Sequence, residues 1–94
     1  MTKAELVSEI SNKTGIEKIA VQTTIEAFMS SVKSSLARNE PVYLRGFGSF
    51  IVKKRAEKTG RDISKNTTIT IPEHHIPAFK PSKSFVNKVK NTVK

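Results

Sequence analysis

Apolar residues recur at helical spacing over the first forty positions and at every second position after them, so the chain changes secondary structure near Pro41. Thr2 followed by Glu5 forms the T-x-x-E box that caps a helix, and Leu6, Val7 and Ile10 then share one face. This first helix is expected to stop near Gly15. A second runs from about Glu17 to about Arg38, with Val21, Ile25, Phe28, Met29, Val32 and Leu36 inside an arc of about 100°. Asn39 can close it in left-handed geometry. Two apolar stripes of this kind pair as a helix hairpin. Beyond Pro41, Val42-Tyr43-Leu44 and Ser49-Phe50-Ile51-Val52 read as short strands joined by Arg45 to Gly48, a hairpin whose glycines supply turn geometry. At the other end Ser82 can cap a last helix with Phe85, Val86, Val89 and Val93 along its inner face.

The middle of the chain fits neither pattern. The segment "KKRAEKTGR", residues 53 to 61, is too polar for a core strand, whereas "TTITIP", residues 67 to 72, alternates as a returning strand does. The economical reading is a two-stranded arm that projects from the body, with its tip near 62–66, and that carries too few apolar residues to bury itself. Ile63 is the one apolar residue from 57 to 68. Exposed at a loop tip it serves no folding purpose, so it either wedges into a binding partner or caps the arm by its own packing.

Charge sharpens this picture. The 94 residues carry +9, and none of it comes from the first 44, where five cations meet five glutamates. Residues 45 to 94 hold the other twelve cations against Glu57, Asp62 and Glu73. A neutral helical half joined to a cationic half is a scaffold that presents an electrostatic surface to a polyanion. There is no cysteine, hence no disulfide framework or thiol chemistry, and "MTKAELVSEI" holds no apolar run suited to a signal peptide or membrane span. A cytoplasmic protein with no membrane association is expected.

Catalytic and metal chemistry find little support. His74 and His75 are adjacent, so on a strand they point to opposite faces, and no cysteine or carboxylate cluster completes a metal site. G-F-G lacks the G-K-[ST] of a phosphate-binding loop, no serine sits in G-x-S-x-G, and the acids of the basic half are too scattered for a two-metal nuclease. The expectation is a non-enzymatic protein with no cofactor, metal or small-molecule substrate. Nucleic acid explains more. Alternation puts Lys53 and Arg55 on one strand face, with Lys58 and Arg61 further out where a twist or bulge can redirect them, so that cations follow about 25 Å of extended chain. A β-ribbon from each of two subunits could grip a duplex from both sides. RNA binding is the rival, but residues 53 to 71 lack the aromatic platform it calls for. Phe28, Val32 and Leu36 of the helical stripe, with Phe47, Phe50 and Phe79, offer more apolar surface than one thin three-helix body can cover, so they are expected to form a dimer core.

The order helix hairpin, "RGFGSF", basic arm, "IPAFKPSK" and final helix resembles the HU/integration host factor family of bacterial architectural DNA-binding proteins over essentially the whole chain, with G-F-G-S-F at 46 to 50 and P-A-F-K-P at 77 to 81 as the specific motifs. The resemblance implies a single α+β domain over 1–94. Residues 1–40 would be the helical dimerisation body, 41–81 a three-stranded antiparallel sheet with a protruding β-ribbon arm, and 82–94 the C-terminal helix. It implies an intertwined homodimer, or a heterodimer with a paralogue, that is nucleoid-associated and binds double-stranded DNA from the minor-groove side, bending it with weak sequence specificity. Lys53, Arg55, Lys58 and Arg61 match the arm contacts, and Gly46 and Gly48 the turn where backbone approaches phosphate. Lys80 and Lys83 match phosphate contacts near the body; Ile63 and Lys65 complete the set at the tip. The tip itself departs from the family: Arg61-Asp62-Ile63 stands where most members have R-N-P, which bears on kinking rather than on binding. Arg45 before G-F-G is closer to integration host factor, a sequence-selective relative and the alternative reading.

Overall fold

The structure is a computed structural model that describes residues 1–62 and 67–93. Its elements follow in the order α1 (Lys3–Thr14), α2 (Lys18–Ala37), β1 (Val42–Leu44), β2 (Gly48–Arg55), β3 (Lys58–Asp62), β4 (Thr67–Ile71), β5 (His74–Pro81) and α3 (Lys83–Thr92). Two compact units result, 1–35 and 36–94.

In the first unit the helix ends are set by local chemistry. The Thr2 hydroxyl accepts from the Glu5 amide at 3.2 Å, and the Gly15 amide closes α1 by donating to the Ser11 carbonyl at 2.8 Å. Val7 of α1 and Val21 of α2 are buried, and Lys3 reaches Glu26 at 2.9 Å. The remaining stripe of α2 is only partly covered within the chain: Phe28 and Met29 are exposed, Ile25 and Val32 half-buried. Its C-terminus ends as expected, with Asn39 at φ 58° and its amide on the Leu36 carbonyl.

The second unit is built on an antiparallel sheet of order β1-β2-β5, with a two-stranded ribbon, β3-β4, inserted along the chain between β2 and β5. The β1–β2 loop is one residue shorter than expected: Gly48 already pairs with Leu44, leaving Arg45, Gly46 and Phe47 as the turn, closed by the Phe47 amide on the Leu44 carbonyl at 2.9 Å. Gly46, at φ 81°, supplies the left-handed position such a turn requires. Segment 74–81 is the third strand of the expected three-stranded sheet, and it accommodates Pro77 and Pro81 because β5 lies at a sheet edge, where a missing amide is tolerated. Val93 is the C-cap of α3 and lines a depression together with Phe47, Phe85 and Val89.

Register decides which side chains share a face. Across β1, β2 and β5, Val42 stands opposite Phe50 and Phe50 opposite Phe79, while Leu44, Gly48 and Pro81 form the neighbouring row on the same side. This is the apolar side. Phe79 meets Phe50 with ring centroids 5.0 Å apart and Phe47 at 5.1 Å, and Phe85 of α3 lies 5.3 Å from Phe47. The helix therefore packs on this side through Phe85, and the opposite side of the sheet is left open to carry function.

Candidate nucleic-acid interface

The open side is built by the alternate register positions. Tyr43 stands opposite Ser49 and Ser49 opposite Lys80; further along lie Ile51 with Ala78, Lys53 with Ile76, and Arg55 with His74. Residues that are distant in sequence thus become neighbours: Lys80 joins Lys53 and Arg55 on one face. The three consecutive cations at 53 to 55 are sorted by the pleat. Lys53 and Arg55 project to the open face, whereas Lys54 projects to the other and is held by Glu73 at 3.0 Å. Among the described residues, Lys53, Arg55, Lys80, Lys83 and Arg45 have no ion-pair partner, which leaves their charge for an external anion.

At one end of this face the turn and the start of α3 are joined by a backbone hydrogen bond. The Ser82 amide donates to the Phe47 carbonyl at 2.9 Å, and the Ser82 hydroxyl caps α3 by accepting from the Phe85 amide at 3.2 Å. They enclose an open depression of about 410 Å³ whose lining includes Arg45, Gly46, Gly48, Lys80 and Lys83. The first turn of α3 contains no acid, so its unsatisfied amides add partial positive charge to the three cations. Gly48 is required here for space: a Cβ would come within 2.6 Å of the Lys80 carbonyl oxygen and 2.7 Å of the Phe79 ring. Gly46 faces nothing within 4 Å, so backbone there is open to an approaching phosphate.

At the other end the ribbon continues the sheet without a slip in register. Arg55 pairs with His74 and Lys58 with Ile71, three residues on along one strand and three back along the other. The ladder pauses at 56–57 and 72–73, where Pro72 has no amide to donate. No extra residue is inserted, so no bulge redirects Lys58, and its register position has the parity of Lys54 rather than of Lys53 and Arg55. Reorientation of Lys58 toward the open face falls to twist alone. Arg61 enters β3 by pairing with Thr68. Ile63 and Lys65 lie outside the described residues.

Of the residues expected at a dimer core, Phe28, Phe47 and Phe79 are exposed on the single chain, with Phe47 at 44 % and Phe79 at 39 %, while Val32, Leu36 and Phe50 are half-buried. Val86 and Val89 of α3 are also exposed. The sequence reading did not place Arg45, Tyr43 or Ser49 in the interface, although V-Y-L alternation puts Tyr43 opposite in sense to two core residues. Among the described residues there is no group of three potential metal ligands, and no helix long and apolar enough to cross a membrane.

The family model described as bacterial DNA-binding protein matches residues 1–90. The chain belongs to that family. Its relatives include the DNA-binding protein HU of Thermotoga maritima, 39 % identical over 90 residues that span 96 % of this chain and 100 % of that protein. The HU protein of Thermus thermophilus is 40 % identical over 96 % of this chain and 93 % of its own. Among solved structures, the Anabaena HU–DNA cocrystal structure superposes with a TM-score of 0.89 at 29 % identity, covering both chains completely. HU from Thermotoga maritima gives 0.67 at 27 % identity, covering 95 % of this chain and 98 % of that one. Family membership accounts for the three helices, the antiparallel strands and the ribbon together.

Proposed function

We infer that this protein is an architectural, histone-like DNA-binding protein. Two chains together hold double-stranded DNA between their sheet faces and β-arms and bend it from the minor-groove side with weak sequence specificity. The observation that carries the reading is the sorting of charge by register: Lys53, Arg55 and Lys80 on the open face of a sheet whose other face is aromatic and apolar. Such a surface binds a regular polyanion through phosphate contacts, which position it without reading bases. The HU–DNA complex that the chain resembles supports duplex DNA as the ligand. Arm residues Lys58, Arg61 and Lys65 extend the contact, Lys83 and the Gly46–Gly48 turn anchor backbone near the body, and Ile63 is the wedge at the tip. Binding and bending are the whole activity, with no reaction catalysed. Pairing of chains covers Phe47, Phe79 and the exposed part of the α2 stripe. A nucleoid location follows from the ligand.

The test compares adjacent lysines. If affinity comes from phosphate neutralisation, log K falls linearly with log salt, by about 0.9 for each phosphate contacted. Lys53→Ala removes one such contact from each of two chains and should flatten the slope by about 1.8. Lys54→Ala, one residue away on the apolar side and already paired with Glu73, should leave the slope nearly unchanged. Equal effects from the two substitutions would mean that the open face does not organise binding.

A further inference from the structure

The geometry points to Tyr43 as a DNA-backbone contact that extends the interface past Lys80. This rests on the DNA-binding reading above and adds to it a residue that neither charge nor motif identifies. Tyr43 is 73 % exposed although it lies in the middle of β1. Its ring makes none of the aromatic contacts that tie the phenylalanines together, and its hydroxyl has no hydrogen-bond partner among the described residues. An exposed tyrosine on an edge strand can be no more than a good strand former. Here the surroundings argue for a ligand. Tyr43 lines the same depression as Arg45, Lys80 and Lys83 and forms one row with Ser49 and Lys80 across the three strands.

That row carries three donors to an anion: a phenol, an alcohol and an ammonium group. Two strand spacings put Tyr43 about 10 Å from Lys80 at the backbone, further than one phosphate group extends. The tyrosine therefore addresses a stretch of sugar–phosphate backbone that Lys80 does not reach. Its ring can cover the apolar face of a deoxyribose while its hydroxyl donates to a non-bridging phosphate oxygen. A lysine at this position would supply charge but no flat apolar surface. Tyr43 thus contributes close packing on the backbone without adding to the salt dependence.

The chain contains one tyrosine and no tryptophan, so its intrinsic emission reports on this residue alone. The parent protein is titrated with a random-sequence duplex at low salt, with free N-acetyltyrosinamide in the same DNA as the inner-filter reference. Quenching of Tyr43 emission is expected to saturate at the stoichiometry of binding. Tyr43→Ala should weaken binding about fivefold to tenfold and Tyr43→Phe about twofold to threefold, each with the salt slope of the parent, because no charge is lost. Circular dichroism of both variants confirms that they fold. If the alanine variant does not, the emission titration of the parent and the phenylalanine variant decide. Duplex binding by the parent with unchanged emission would overturn the role of Tyr43 alone. Absence of salt-dependent duplex binding by the parent would overturn the DNA-binding reading as well.

Discussion

Replacing Gly48 by alanine puts one methyl group where the sheet has no room for it. The added Cβ would lie 2.6 Å from the Lys80 carbonyl oxygen, 2.7 Å from Phe79 Cζ and 2.8 Å from Phe79 Cε1, where ordinary contact begins at 3.4 Å. The shortfall against the carbonyl is 3.4 less 2.6, or 0.8 Å. The Phe79 ring can tilt away, at the expense of its packing on Phe47, Phe50 and Phe85. The carbonyl belongs to strand β5, so relieving it separates β2 from β5 where Ser49 pairs with Lys80. Overpacking of this kind costs about 1–3 kcal/mol. For a domain of this size, about 4–8 °C is lost per kcal/mol, so thermal unfolding at fixed protein concentration should drop by about 5–20 °C. Gly46 supplies the control. Nothing lies within 4 Å of its Cβ position, and its φ of 81° imposes strain only. Gly46→Ala should cost about 1–2 kcal/mol, and Gly46→Asn, a residue that adopts left-handed geometry readily, should recover most of it. No such rescue is available at Gly48, where any Cβ collides. Because the displaced strand carries Lys80, the Gly48 variant should also bind duplex more weakly at a temperature where it remains folded. Unfolding of Gly48→Ala within 1 °C of the parent would refute the steric account of this glycine.

Two further outcomes follow from the same structure. Exposed Phe47, Phe79, Val86 and Val89 require a second chain, so sedimentation should give about twice the 10.4 kDa chain mass, and the unfolding temperature should rise with protein concentration; a folded monomer at micromolar concentration would refute this. The hydrogen bond from Lys3, then that from Gln22 and the charge of Lys3, hold the Glu26 carboxyl below the usual carboxylate range. A lowered folded-state value means that the stabilisation is present above the unfolded-state value and is lost as pH falls through the folded one. The small stability difference between the parent and Glu26→Gln should therefore exist at neutral pH and close in acid, and a difference that persists at pH 2 would exclude this linkage.

Local chemistry was the part of the fold most open to reading from sequence. Thr2, Asn39 and Ser82 each satisfy a helix end through their own side chain or backbone, so their meaning is complete within a few residues. Pairing across the chain was harder to read. Strand propensity says nothing about whether "HHIPAFKP" will lie at a sheet edge, where its prolines cost little. The alternation of Lys53 and Arg55 was visible, since it needs only the period of one strand. The register by which Lys80 shares their face follows from the pairing of Ser49 with Lys80, 31 positions apart.

The same distinction explains Tyr43 and Lys58. Tyr43 is embedded in V-Y-L, which reads as an ordinary apolar strand, and only the row Tyr43, Ser49, Lys80 sets it beside charge. Strand period alone left Lys58 to be redirected by a twist or a bulge, and register decides between them: two residues of interrupted ladder, with no residue gained or lost on either strand, leave Lys58 on the parity of ion-paired Lys54. A basic segment thus specifies that a polyanion will bind, while the pairing partner of each residue specifies which cations meet it. For this chain the partners of β2 are fixed at one end by the close approach that only Gly48 permits, and the Lys80–Ser49–Tyr43 row follows one residue along. The glycine and the binding face are therefore consequences of one packing decision, and perturbing the first should be read out at the second.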